Sequence, residues 1–182
     1  MKSFILLILF FLQSCNKDNL VKTYSIPKQK IISHETEKNK YDLKLPFYWD
    51  APNHWEEGKK TSMRIASYNV PYSQGLADLS ISNFSGDGGG VLANINRWRG
   101  QLNLPFQSLD EANQSAQIGL SNIGEFKMYK IINDSNVDMA FMCSILQVKH
   151  STIFIKIVST IDGIQELENE FMDFCSSFKF SN

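Results

Sequence analysis

Alternation of apolar and polar residues over the segment 76–84 constrains the fold of this chain more than any other feature. The apolar positions of that segment are Ala77, Leu79 and Ile81. A period of two predicts a strand with one buried and one wetted face. The segment 63–70 repeats the pattern, and a turn-forming stretch at 71–75 separates the two. We therefore predict an antiparallel hairpin whose exposed face is rich in Ser and Asn.

Three further strands are expected, at 124–132, 137–148 and 152–159. The second of these should be central, because it carries apolar residues on both faces. Before the hairpin, Trp49 and Trp55 belong to an extended aromatic segment whose rings should pack on the core. A surface for stacking a ligand is the alternative interpretation of these rings.

Two helices are predicted in the second half of the chain. The first is short and follows Ser108, and Glu111 three residues later completes a capping box. The second closes the chain after Gly163. Its apolar stripe consists of Ile164, Leu167, Phe171, Phe174 and Phe178. The fold class is therefore α+β, an antiparallel sheet packed by helices in a single domain.

The stretch "SGDGGGVLANINRWRGQ" at 85–101 joins the second hairpin strand to another predicted helix. The corner between strand and helix consists of Gly88, Gly89 and Gly90. Glycines allow the sharp turn that this junction needs, and Asp87 or Ser85 is the expected N-cap. The helix has a core stripe of Val91, Ile95, Trp98 and Leu102. Its candidate binding face carries Asn94, Arg97 and Gln101, with Arg99 beside them.

The glycine corner formally fits a dinucleotide motif, but a hairpin strand is not the buried parallel strand that such a motif requires. Two other interpretations of the corner stay open. Amides at the helix N-terminus could bind a small anion at Gly88 to Gly90. Alternatively, the corner is structural and the helix face meets a partner.

The N-terminus predicts export. Residues 1–14 combine a basic start with a nine-residue apolar run, too short to span a bilayer, which is typical of a signal peptide. Leu12 to Cys15 are similar to a bacterial lipobox, so Cys15 is the predicted lipidation site and a plain secretory signal is the alternative. The polar segment 15–44 is expected to be a flexible tether, and 45–182 a globular domain.

Composition excludes several classes of function. The formal net charge of -1, without a basic stripe, excludes nucleic acid as a partner. The three histidines, His34, His54 and His150, show no spacing typical of metal ligands, so no metal or cofactor is predicted. Cys143 and Cys175 are expected to be buried free thiols, with an oxidised pair as the alternative. No catalytic signature is present, and the chain is expected not to be an enzyme.

A resemblance supports this organisation. The chain resembles a family of uncharacterised bacterial exported proteins and lipoproteins, whose shared motifs fall here at 63–66 (Met-Arg-x-Ala), 86–90 (Gly-Asp-x-Gly-Gly) and 94–101 (Asn-x-x-Arg-Trp-x-x-Gln). The resemblance covers Trp49 to Pro105. It implies the fold of photosystem II extrinsic protein P (PsbP) and the Ran-release factor, an antiparallel sheet sandwiched by helices. It implies no established activity, although proteins of that fold mostly act in binding or assembly.

The sequence therefore predicts a membrane-anchored lipoprotein of the bacterial cell envelope, with the choice of membrane open. Its expected role is that of a non-catalytic interaction or assembly module, held to the membrane by its N-terminal lipid and facing an envelope protein partner. A small-anion or small-ligand binding protein is the first alternative. An unrecognised hydrolase is the second.

Overall fold

A computed structural model describes residues 45–59 and 61–181 of the 182-residue chain. The predicted signal peptide, the Cys15 lipidation site, the tether and His34 lie outside the described residues. The strands are β1 (Phe47–Tyr48), β2 (Glu56–Glu57), β3 (Ala66–Tyr72), β4 (Gly75–Ser85), β5 (Gln117–Ser121), β6 (Gly124–Ile131), β7 (Ala140–Val148), β8 (Ser151–Ser159) and β9 (Lys179–Phe180). The helices are α1 (Val91–Gln101), α2 (Leu109–Gln114), α3 (Ile161–Glu166) and α4 (Glu168–Ser176).

Seven strands form one antiparallel sheet in the order β2-β3-β4-β8-β7-β6-β5, and β1 pairs with β9 in a separate ribbon. The predicted hairpin is confirmed: β3 pairs with β4, and Ala77, Leu79 and Ile81 are buried. The prediction that β7 is a central strand is confirmed: it lies between β8 and β6 and is buried on both faces. The middle position of the seven belongs to its neighbour β8.

Helices cover both faces of the sheet, which makes the domain an α/β/α sandwich. On one face, Leu79, Met142 and Ile155 pack with Phe171 and Phe174 of α4. The other face is covered by α1 and α2. The buried residues there include Ile95, Trp98, Tyr129, Cys143 and Phe154. The predicted α+β class and single domain are therefore confirmed.

The predicted apolar stripe of the C-terminal segment is buried throughout, but the predicted single helix is wrong. The chain begins α3 at Ile161, with the Thr160 hydroxyl as N-cap, and Gly163 lies inside this helix. A Cβ at Gly163 would come 2.1 Å from Oγ of Ser159, so close packing explains this glycine. Leu167 then separates α3 from α4, and Phe178 lies beyond the helices.

Other boundaries also differ from the predictions. Strand β5 was not predicted, because its apolar residues Ile118 and Leu120 are exposed and do not mark a core face. Strand β7 begins at Ala140, since the chain turns before it and leaves Val137 and Met139 exposed. Pro71 belongs to β3, so the hairpin turn is shorter than predicted. The capping box of Ser108 and Glu111 at α2 is confirmed.

The aromatic segment at the start of the domain packs on the core, as predicted. Trp49 stacks on Phe178 with a ring separation of 5.3 Å, and Trp55 is buried against Phe174 at 4.7 Å. Both indole N–H groups donate within the protein, Trp49 to Tyr68 and Trp55 to Glu170, so a ligand-stacking surface is not formed by these two rings. Of the helices in the described residues, none is long and apolar enough to cross a membrane.

Candidate functional site

The glycine corner takes its shape from backbone conformations that favour glycine. Gly88, Gly89 and Gly90 have φ values of 63°, 87° and 83°. A Cβ at Gly88 would also come 2.7 Å from the ring of Phe154. The predicted N-cap is wrong: Gly90 is the N-cap and no side chain caps α1. Oδ1 of Asp87 instead accepts from N–H of Gly89 within the loop, which explains why it is not available to the helix.

Asn94 fastens the corner to α1 and is not presented to solvent. Its side chain is 3% exposed, and Nδ2 donates to the carbonyl oxygens of Gly88 at 2.9 Å and Gly90 at 2.7 Å. Its Oδ1 accepts a hydrogen bond from Nη2 of Arg97. Asn94 thus joins the corner to Arg97, which is itself exposed.

Gln101 reaches across from α1 to the sheet. Its Oε1 accepts a hydrogen bond of 2.9 Å from Nζ of Lys156 on β8. Lys156 is half-buried, and its ammonium lies 3.5 Å from the ring centre of Phe141 on the neighbouring strand. Aromatic faces and amide oxygens both stabilise a cation, but neither carries a negative charge. Lys156 is therefore solvated by neutral groups.

A second arginine, Arg64, lies within electrostatic reach of Lys156. Arg64 forms a two-pronged ion pair with Asp78 of β4, with N–O distances of 2.8 and 2.9 Å. Burial lowers the pKa of Lys156 and is the largest effect. The neighbouring Cys143 thiol opposes it, the positive charges of Arg97 and Arg64 lower the pKa further, and Asp78 raises it. We call Arg64, Arg97 and Lys156, with Asp78, the cationic cluster.

Sequence reasoning missed three members of this cluster: Lys156, Arg64 and its ion-pair partner Asp78. Lys156 is the single charged residue of the strand "STIFIKIVS", and a lone charge in a buried strand is a signal that could have found it. Arg64 lies just before β3 and gave no comparable signal. Since α1, β4 and β8 each contribute, only the fold brings these side chains together.

Arg99 lies on a separate flank of α1. Its Nε donates to the carbonyl oxygen of Pro105 at 2.7 Å, across the turn that ends the helix. In that turn Asn103 adopts φ 56°, and N–H of Leu104 donates to the carbonyl oxygen of Arg99, the arrangement of a Schellman motif. The contacts of Arg99 thus stabilise the helix end, away from the cationic cluster.

Two of the backbone N–H groups of the glycine corner already have acceptors within the loop and are not free to bind a small anion. N–H of Gly89 is bonded to the Asp87 carboxylate and N–H of Gly90 to the Asp87 carbonyl oxygen, at 2.9 and 3.2 Å. An anion there would also meet the negative charge of Asp87. No observation at the corner favours an anion over the structural role.

The two cysteines and His54 are the side chains considered for catalysis, and their contacts are those of residues that stabilise the fold. Cys143 and Cys175 are buried free thiols in the cores on opposite faces of the sheet, so they are not paired. Burial raises the pKa of the Cys143 thiol to about 12, which opposes formation of a nucleophilic thiolate. His54 lies 2.8 Å from Glu170 and ties its loop to α4. Within residues 45–59 and 61–181, no group of three potential ligands could hold a metal ion.

No protein-family model and no curated protein sequence matches the chain. Solved structures with a similar course of the chain include a protein from Bacteroides thetaiotaomicron, with a TM-score of 0.46 and 13% identity. That match covers 75% of this chain and 46% of the other, so the chain spans about half the length of the Bacteroides protein.

Two further structures are similar. Cyanobacterial PsbP (CyanoP) from Synechocystis has a TM-score of 0.48 and 16% identity over 77% of this chain and 89% of CyanoP. LpqN of Mycobacterium tuberculosis, described as involved in cell envelope biogenesis, has a TM-score of 0.42 and 12% identity over 75% of this chain and 83% of LpqN. Identities of this size transfer no functional residue to the chain.

Proposed function

We propose that this chain is a lipid-anchored protein of the bacterial envelope that acts without catalysis, as a module binding an acidic segment of a partner protein. Cys15 carries the lipid in this proposal, and the cationic cluster carries the binding. The observation that supports it most is that the side chains of Arg97 and Lys156 donate hydrogen bonds to neutral amide oxygens, those of Asn94 and Gln101.

Charge balance is the first step of the argument. Arg64 is neutralised by Asp78, whereas the ion pairs found in the described part of the chain include neither Arg97 nor Lys156. The cluster therefore has two uncompensated positive charges on a protein whose net charge is -1. A carboxylate is the complementary group, and an arginine side chain can bind it with two parallel hydrogen bonds, as a bidentate pair.

The half-buried position of Lys156 is the second step. Holding its ammonium close to two arginines costs free energy in the free protein, because burial and like charges both disfavour the charged form. An arriving carboxylate would relieve this cost as well as add its own attraction. The half-buried charge of Lys156 does not add to the stability of the fold, and this supports a role for it in binding a partner.

Arg97→Ala combined with Lys156→Met tests the binding role. The full chain in membranes would be used to capture envelope proteins, and a short oligoglutamate peptide would serve as a defined acidic probe. The matched control, Arg99→Ala with Lys59→Met, also removes two positive charges. We expect the double variant to lose the probe and the partner, and the control to retain both. Equal capture by all three chains would contradict the proposal.

The anchor is tested separately. Cys15→Ala should move the protein from the membrane fraction to the soluble fraction, because lipidation supplies stable attachment. Cys143→Ala is the control, since a buried thiol has no role in attachment. Retention of the Cys15→Ala chain in the membrane would refute the lipid anchor.

A further inference from the structure

The two edges of the seven-stranded sheet are protected differently. The β2 edge is two residues long, and its exposed Glu56 and Glu57 carry charges that discourage pairing with another strand. The β5 edge, Gln117–Ser121, has five residues without a charge or a proline. In the part of the chain that the structure describes, no strand pairs with its outer side.

The free edge exposes both backbone and apolar side chains. The two-residue turn after β5 makes Ser121 and Gly124 a hydrogen-bonded pair. Because such pairs alternate along an antiparallel ladder, the N–H and C=O groups of Ile118 and Leu120 point away from β6. Their side chains are 53% and 71% exposed. An edge with these properties is a template for a further strand.

We propose that the strand that pairs with β5 is β5 of a second copy of this chain, antiparallel and centred on Gly119. In this arrangement Ile118 lies opposite Leu120 of the second copy, and the two symmetric pairs form four backbone hydrogen bonds. On the other face of the sheet, Gly119 meets Gly119 without side chains. The two sheets become one continuous sheet with a two-fold axis.

The charges on β6 are complementary in this register. Lys127 lies opposite Ile118 and Glu125 opposite Leu120. With the pairing centred on Gly119, each row of side chains runs from Lys127 through the apolar pair to Glu125 of the second copy. A shift that centres the pairing on Leu120 brings Glu125 and its equivalent into one row, and centring on Ile118 does the same for Lys127. Only the proposed register among these three gives opposite charges at the ends of its rows.

The proposed contact is small. A five-residue edge buries less than the roughly 1,600 Å² of a standard stable interface. The dimer should therefore form reversibly and depend on protein concentration, which is the behaviour expected of a contact that is favoured by confinement to one surface.

Two complementary variants test the proposal. One is Ile118→Lys with Leu120→Lys, and the other is Ile118→Glu with Leu120→Glu. Each variant opposes like charges in both rows of its own dimer, whereas a mixture of the two opposes Lys to Glu. All four substitutions are at exposed side chains and should leave the fold intact. Leu76→Lys, at a 63% exposed leucine far along the sheet on β4, is the control.

Sedimentation equilibrium of the full chain in density-matched detergent measures the result across a dilution series. We expect the wild type and the control to dimerise reversibly, each charged variant to dissociate at least about tenfold more readily, and the mixture to recover dimers. A wild-type chain that stays monomeric throughout overturns the proposal. So do charged variants that dimerise like the wild type, and a mixture that does not recover.

Discussion

Nζ of Lys156 lies 2.9 Å from Oε1 of Gln101, and this bond joins the middle strand of the sheet to the last residue of α1. The acceptor is a neutral amide, so the contact orients the ammonium without compensating its charge. The ring of Phe141 below it acts in the same way. The positive charge of Lys156 is therefore oriented but not neutralised, and its burial costs free energy of folding. A residue with a purely structural role would not need that charge.

Removing that charge should not weaken the fold. We expect Lys156→Met to leave the free energy of unfolding at pH 7 unchanged or to raise it by at most about 1 kcal/mol, since Met retains the stem over Phe141 and solvent screens part of the charge. Urea unfolding measures it. Lys130→Met, which breaks the ion pair with Glu168, is the control and should be slightly destabilising. A larger loss for Lys156→Met than for the control would assign Lys156 a structural role.

The same variant has a defined pH dependence. Because the pKa of Lys156 is lowered in the folded protein, the folded chain binds fewer protons than the unfolded chain between the two pKa values. Wild-type stability therefore gains from this group as the pH rises through the lowered pKa towards the ordinary lysine value. The advantage of Lys156→Met should shrink over that window. An advantage that widens there would contradict the sign.

Asn94 should matter more for stability than Arg97. Asn94→Ala leaves two loop carbonyl oxygens without their side-chain donor and deprives Arg97 of its acceptor, for a loss of about 2 kcal/mol. Arg97→Ala removes an exposed side chain and should cost less than about 1 kcal/mol. Asn113→Ala, at an exposed position on α2, is the neutral reference. Thermal or urea unfolding of the three variants gives the order directly, and equal losses for all would contradict it.

The glycine corner can be tested by comparing two glycines of similar φ. Gly88→Ala should cost about 2 to 3 kcal/mol, because φ is 63° and the new Cβ would meet the packed ring of Phe154. Gly86→Ala, at φ 69° with open space around it, should cost about 1 kcal/mol. The difference in their unfolding free energies isolates the clash with Phe154. Similar losses would mean that the ring moves aside.

Local periodicity explains which elements the sequence predicts. Strand β4 alternates strictly and β7 is apolar on both faces, so their existence and burial follow from pattern alone. Strand β5 cannot be predicted in this way, because its exposed Ile118 and Leu120 contribute nothing to a core. A strand stabilised by pairing at an edge leaves a weak pattern, which is why it was missed.

The candidate site is less predictable than the fold. Asn94 is polar yet buried, because its amide satisfies loop carbonyls that the sequence pattern does not show. Lys156 and Arg64 are distant in sequence from the helix face that was predicted to bind. The sequence identifies Arg97 and Gln101, but the charge they help to hold belongs to another strand. The periodicity of a sequence predicts which residues share one face of a helix or strand. It does not predict which side chains of different helices and strands come together, because that depends on the tertiary fold.

Alkaline pH should destabilise the domain through its two buried thiols. Burial raises the pKa of Cys143 to about 12 and raises that of Cys175 as well. The folded chain therefore holds protons that the unfolded chain releases above the ordinary thiol pKa of about 8.5, so the contribution of the thiols to stability is constant below that pH and is lost as the pH rises towards 12. Each thiol contributes a slope of up to about 1.4 kcal/mol per pH unit.

Urea unfolding between neutral pH and about pH 11 measures this effect. Cys143→Ala should be less stable than the wild type at pH 7 through its lost packing, but it should lose less stability per pH unit than the wild type above about pH 8.5. Ser176→Ala, at an exposed position beside Cys175, should keep the wild-type slope. An unchanged slope in Cys143→Ala would mean that this thiol ionises as readily in the folded chain as in the unfolded one.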